Sequence, residues 1–219
     1  MSDPVEFISE NIGFWKGSFM LCNALVKKPA KKNQKVIKNF FIKKGLKLLV
    51  DLSKKKKPLV NQMVINEPYI PELDDLYNLY QYVLINKRTT ILEFGSGWSS
   101  LIFSLALKEL ADKFSNEVKS LRRNNPFELF VVENEKKYLN ITKNRIVKFN
   151  KYLKIKKPIK INYILTDVEM TTFKDRICTQ YKKLPLCNPD FIYLDGPDQF
   201  KIKKDINGIS TRHKDMMPM

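Results

Sequence analysis

Four carboxylates close four apolar runs along this chain, and the first stands directly ahead of two glycines. Glu93 precedes Gly95 and Gly97 in "ILEFGSGWSSLIFS", residues 91–104; Glu133 ends "FELFVVE", Asp167 ends "IKINYILTD" and Asp195 ends "PDFIYLD". Glycines at alternate positions allow positive φ and close backbone approach, and a helix beginning near Ser99 would offer free amides at its N-terminus. The loop alone suits a tight turn as well as a nucleotide-binding site. A dinucleotide loop wants a third small residue at position 100, where Ser100 stands. Glu93 points elsewhere: a carboxylate there would repel a pyrophosphate and attract an ammonium or sulfonium. Glu133 is placed to accept hydrogen bonds from ribose hydroxyls. Acids at strand ends also serve as turn formers or helix caps, which accounts for one or two such residues. All of them in register with a glycine loop point to a ligand pocket.

Such a pocket needs strands to present it. "TTILEF", "FELFVVE", "IKINYILTD" and "PDFIYLD" read as strands buried on both faces, with helices over Ser99–Leu110 and in "KKYLNITKNRIVKFNKYL". That alternation predicts an α/β fold with a parallel sheet of crossover units, whose ligands sit at the carboxyl ends of the strands. Upstream, Pro71 marks a first helical turn, followed by the acids Glu72, Asp74 and Asp75. From Val36 to Leu52, apolar residues recur near helical spacing between lysines 35, 38, 43, 44 and 47. This predicts one amphipathic helix with a basic face, packed on the main domain or laid on a membrane surface. Scattered helical periodicity also runs through residues 5–26, and "SKKKKPLV" is a polar joint. The division expected is a basic helical extension over residues 1–66 and a Rossmann-like domain over 67–219.

At 219 residues and 43% hydrophobic content, the chain can bury one sizeable core. The formal charge of +17 is concentrated near the N-terminus, where residues 11–66 hold fourteen basic residues against Asp51 alone. The lysine-rich segment 27–57 could serve nucleic acid, although only six of the forty cations are arginines, the better residue for bidentate phosphate or base recognition. Cys22, Cys178 and Cys187 show neither metal spacing nor a disulfide framework and suit reduced thiols in a cytoplasmic protein. "GFWKGSFMLCNALV" is too short for a spanning helix and is interrupted by Lys16. His213 is the only histidine, which excludes a histidine-based triad or a multi-histidine metal site within these residues.

On these residues the chain resembles a class I S-adenosylmethionine-dependent methyltransferase, from about Pro71 to Phe200. The family's first motif falls on Glu93, Gly95 and Gly97, and its ribose-binding acid on Glu133. Its acid beside the adenine ring corresponds to Asp167, and its strand-four acid facing the active site to Asp195. The Glu-Phe-Gly-Ser-Gly-x-Ser form is similar to a subgroup that also carries "DGP" after that strand. The resemblance implies a Rossmann-like sheet, S-adenosylmethionine as cosubstrate, a small-molecule or sugar-like acceptor and Asp195 as the catalytic residue. A nucleic-acid methyltransferase using the basic arm and a non-catalytic binding module are the alternatives.

The chain also departs from the family. Ser99 stands where a third glycine is usual, and the forty residues from Glu93 to Glu133 imply an insertion around "DKFSNEVKSLRRNN". The Asn-Pro-Pro-Tyr signature of many amino-directed enzymes is absent after the fourth strand, which favours an oxygen acceptor. Some related enzymes use an Asp–Asn pair near a fifth strand to hold a divalent metal, a pair that is not in this sequence, so no metal site is carried over. Only 23 residues follow Gly196, too few for the three further strands and two helices of the family's sheet. The expectation is a fragment truncated after its fourth strand, leaving an apolar edge.

Overall fold

Runs rich in Ile, Val, Leu and Phe form the strands because their side chains pack well on a pleated surface buried on both sides. The computed structural model describes residues 26–54, 68–121, 123–174 and 176–197, with the backbone of short strands at 203–206, 209–212 and 217–218. The periodicity at residues 5–25, most of the polar joint, Cys22 and His213 lie outside the described residues. One compact unit begins at Lys32 and holds every element named below.

The region 34–52 forms two helices, α1 (Gln34–Lys43) and α2 (Lys47–Leu52), where the periodicity predicted one. The Asn33 side chain caps α1 by accepting from the Val36 amide at 3.0 Å. Gly45 breaks the run with φ +76°, and the Leu46 amide turns back to the Phe41 carbonyl at 2.8 Å. The break keeps Ile37 and Phe41 of α1 and Leu49 and Val50 of α2 buried together with Leu46. Helix α3 (Leu73–Ile85) starts just after Pro71, with Asp74 and Asp75 in its first turn.

Strand β1 (Thr90–Phe94) leads through the glycine loop into α4 (Trp98–Lys119), then β2 (Glu128–Glu133), α5 (Lys136–Tyr152) and β3 (Lys160–Leu165). The insertion expected between Glu93 and Glu133 is absorbed by the length of α4, which kinks at Phe114, and by the turn into β2. Between β3 and the next sheet strand there is no helix but an antiparallel hairpin, β4 (Val168–Phe173) with β5 (Arg176–Tyr181). Strand β6 (Phe191–Leu194) then completes a parallel sheet in the order β3-β2-β1-β6. The α/β class and the parallel sheet flanked by helices are as the sequence predicts.

Beyond β6, β7 (Lys203–Ile206) and β8 (Ile209–Arg212) pair antiparallel, and β9 (Met217–Pro218) pairs with β5. None of them joins the parallel sheet, so among the described residues β6 is its edge.

The two faces of the sheet are covered unequally. Ile91, Leu129 and Val131 pack in one cluster with buried side chains from all five described helices, including Phe41, Val83, Phe103, Leu107 and Phe149. Leu92, Phe130 and Val132 point to the opposite face, where Val168 and Tyr181 of the hairpin and Cys187 meet them. Helix α1 is tied to this assembly by Lys44, whose ammonium pairs with Glu109 on α4 while Tyr80 donates to the same carboxylate at 2.6 Å. At the amino end of the sheet, Asp190 accepts from the Thr89 and Thr90 amides and the Thr89 hydroxyl at 2.9–3.0 Å. Arg123 pairs with the same acid at 3.3 Å. That constellation is structural: it pins the start of β6 to the start of β1.

Candidate functional site

The parallel register sets four residues in one row across the sheet: Tyr163, Val131, Glu93 and Tyr193. Residues in a row share a face, so Glu93 lies on the helical side, beneath the first turn of α4. It is fully buried, and Ser99 of that turn donates to its Oε1. Its Oε2 has no hydrogen-bond partner among the described residues. Burial pushes the Glu93 carboxyl up to about 8; the Ser99 and Ser100 hydroxyls offset part of this, and the charges of Asp195 and Glu133 add to it. A buried acid with one oxygen unserved is costly unless something else meets it.

Directly above, the loop has two glycines with different reasons to be glycine. Gly95 has φ +92°, and a Cβ there would lie 2.9 Å from the Asp195 carbonyl oxygen. Its amide donates to Val132 O at 2.8 Å, and the Asp195 amide donates to Phe94 O at 2.8 Å. The ends of β1, β2 and β6 are thereby stitched together, and Gly95 is required by the protein's own packing. Gly97 is different. A Cβ there would meet only Ser99 Oγ, at 3.8 Å. Among the described residues nothing needs position 97 to be bare, which leaves room there for a ligand.

Glu133 ends β2 beside this loop and is buried. The Asn134 and Glu135 amides donate to its Oε1 at 2.9 and 3.0 Å, and Ser96 donates to its Oε2 at 2.6 Å. Burial, partly offset by these bonds, holds its carboxyl above the usual range. Asp195 follows β6 and is open to solvent on its outer side. The protein around it, then the charges of Asp75 and Glu133, raise its carboxyl as well. Asp167 is exposed in the turn between β3 and β4, where its carbonyl accepts from the Lys182 amide at 3.0 Å.

The structure thus brings Glu93, Glu133 and Asp195 close enough to influence one another, around Gly95 and Gly97, while Asp167 sits further out in solvent. It adds residues that sequence reasoning missed. Asp75 reads in the sequence only as helix-start charge, yet α3 carries it to the carboxyl end beside Asp195. Tyr163 is pushed up to about 12 by burial and then by Glu93, and Tyr193 upward by burial, Asp195, Glu93 and Asp75. Only the register reveals that Tyr193 neighbours Glu93 and that Tyr163 stands in the same row beyond Val131. At the start of α4, the Trp98 indole donates to the Tyr69 carbonyl at 3.0 Å and the Arg145 guanidinium stacks 3.8 Å over its ring. Trp98 is thereby fixed beside the loop, while the Tyr69 side chain is exposed.

Taken together, the site is a cluster of carboxyl groups around the glycine loop at the carboxyl end of a parallel sheet, with protonated phenols beside it. Among the described residues, no three His, Cys, Asp or Glu side chains converge to hold a metal ion. No described helix is long and apolar enough to cross a membrane. No protein-family model, curated protein or solved structure matches this chain. The fold established here is an α/β fold compatible with the Rossmann-like class.

Proposed function

We propose that this domain binds S-adenosylmethionine and directs methyl transfer to a hydroxyl of a small-molecule or sugar-like acceptor. The observation that carries the reading is Glu93: a fully buried carboxyl under a glycine loop, with Oε2 unserved among the described residues and with Glu133 and Asp195 near enough to disfavour its ionisation. A cation placed there meets an oxygen otherwise left without a partner and relieves the repulsion among the acids. A pyrophosphate would add to that repulsion, which weighs against a dinucleotide.

The residues fit the cosubstrate in stated roles. Glu93 would hold its ammonium, Gly95 and Gly97 would let its chain pass close to the backbone, and Glu133 would take its ribose hydroxyls. Asp167, exposed in the turn after β3, would stand beside the base, as the resemblance implies. Bound S-adenosylmethionine supplies a methyl group already activated on a sulfonium, so the protein's contribution is proximity and alignment. Asp195, open to solvent and with its carboxyl raised, would accept the proton from the acceptor hydroxyl.

Isothermal titration with S-adenosylmethionine, S-adenosylhomocysteine and NAD tests the reading. Heat and a thermal shift with the first two, and weaker binding of NAD, are the expected results. No binding of S-adenosylhomocysteine at millimolar concentration, or tighter binding of NAD, overturns it.

A further inference from the structure

Tyr181 offers a second buried oxygen without a partner among the described residues, on the other side of the glycine loop from Glu93. It ends β5 of the hairpin that replaces the crossover helix, and its residue is only 8% exposed. Its ring packs on Phe94 with centroids 5.1 Å apart, which aims the hydroxyl at the carboxyl ends of β1 and β6. There a Cβ on Gly196 would lie 3.0 Å from the Tyr181 hydroxyl oxygen and 3.0 Å from Gly95 Cα. The hydroxyl is thus built into the same Gly95–Gly196 contact that closes the floor of the mouth. Burial, then the charges of Glu133 and Asp195, keep it protonated.

The chemistry of that place is lopsided. Glu133 and Asp195, when ionised, can only accept hydrogen bonds, whereas a protonated phenol can donate one. A ligand hydroxyl suits the combination, since it donates to a carboxylate and still has lone pairs for a donor. We infer that Tyr181 is a ligand-binding residue whose hydroxyl donates to a ribose hydroxyl oxygen of the bound cosubstrate, on the opposite side from Glu133. This rests on the reading given under Proposed function. It makes the hairpin, and not only the glycine loop, part of the binding site.

The test is calorimetric titration of the full chain and its Tyr181→Phe variant with S-adenosylhomocysteine, and with an analogue lacking both ribose hydroxyls, alongside thermal melts of the ligand-free proteins. The expected result is a Kd about tenfold weaker for Tyr181→Phe with S-adenosylhomocysteine, the size of one neutral hydrogen bond. The two proteins should bind the dideoxy analogue alike. The ligand-free variant should melt at the same temperature as the wild type or higher, because the substitution removes a hydroxyl that nothing among the described residues serves. Equal affinity of the two proteins for S-adenosylhomocysteine overturns the inference while leaving the functional reading intact. A lower ligand-free melting temperature also overturns it, by showing that the hydroxyl serves internal packing. Failure of the wild type to bind S-adenosylhomocysteine removes the functional reading and this inference with it.

Discussion

Ser96 of the glycine loop donates to Glu133 Oε2 at 2.6 Å, so the loop after β1 is latched to the end of β2. A ribose seeking the same oxygen must share or displace that hydroxyl. Ser96→Ala is therefore expected to lower ligand-free stability by about 1 kcal/mol, the typical net value of such a bond. It should leave affinity for S-adenosylhomocysteine unchanged or tighter. Urea denaturation and titration calorimetry check the two halves separately.

Glu93 gives a pH prediction whose sign can be worked out. Its folded carboxyl is raised to about 8 from the ordinary 4.5, so the native state holds the proton more tightly than the unfolded one. This contribution is fully present below the unfolded value and is lost as pH climbs through the folded one. Glu93→Gln cannot ionise, so its advantage over the wild type should grow from pH 5 to pH 9, reaching a few kcal/mol by chemical denaturation. The same substitution should abolish binding of a cationic ligand. In the wild type near pH 7, cation binding should release a proton, measurable as a dependence of the binding heat on the buffer's ionisation enthalpy.

The two loop glycines should separate cleanly. Gly95→Ala forces a side chain into φ +92° and onto the Asp195 carbonyl, and should cost about 2 kcal/mol or more in stability. Gly97→Ala makes only an ordinary contact with Ser99 Oγ and should melt within a degree or two of the wild type, yet weaken S-adenosylhomocysteine by about tenfold if the ligand passes there.

Asp190 provides a control far from the mouth. Asp190→Ala strips the Thr89 and Thr90 amides of their acceptor and leaves Arg123, whose Nε is already unserved, without its ion pair. The expected loss is about 3 kcal/mol by urea denaturation, with little change in ligand affinity per folded molecule.

How much of this was legible in the residues depended on the range of the interaction. The strands of the parallel sheet announce themselves through continuous apolar runs, and Glu93, Glu133 and Asp195 through their places at the ends of those runs. What was hidden involves chain crossings. One helix was predicted over Val36–Leu52 because the periodicity of Val36, Phe40 and Leu48 continues across Gly45, and only the positive φ there reveals two. The β4–β5 hairpin escaped because "VEMTTF" and "RICTQY" carry short, mixed patterns with Lys174 at the turn, weaker than those of the sheet strands. Tyr163, Tyr193, Tyr181 and Asp75 could not be tied to Glu93 or Asp195, since register and helix placement put them there. The sequence also offers no means to tell that Gly95 serves packing while Gly97 does not.

The uneven cover of the sheet has a consequence for traffic into the mouth. On one side stands a thick helical wall; on the other, the small β4-β5-β9 ribbon contacts the sheet through Val168 and Tyr181, with Ile192 and Leu194 left 60% and 44% exposed beyond it. Bending a ribbon disturbs few packed side chains, whereas parting α4 from the sheet would open the core. On the proposed function, a bulky acceptor would therefore enter from the ribbon side, and exchanging the ribbon would be expected to change which acceptors gain admission without rebuilding the floor beneath them.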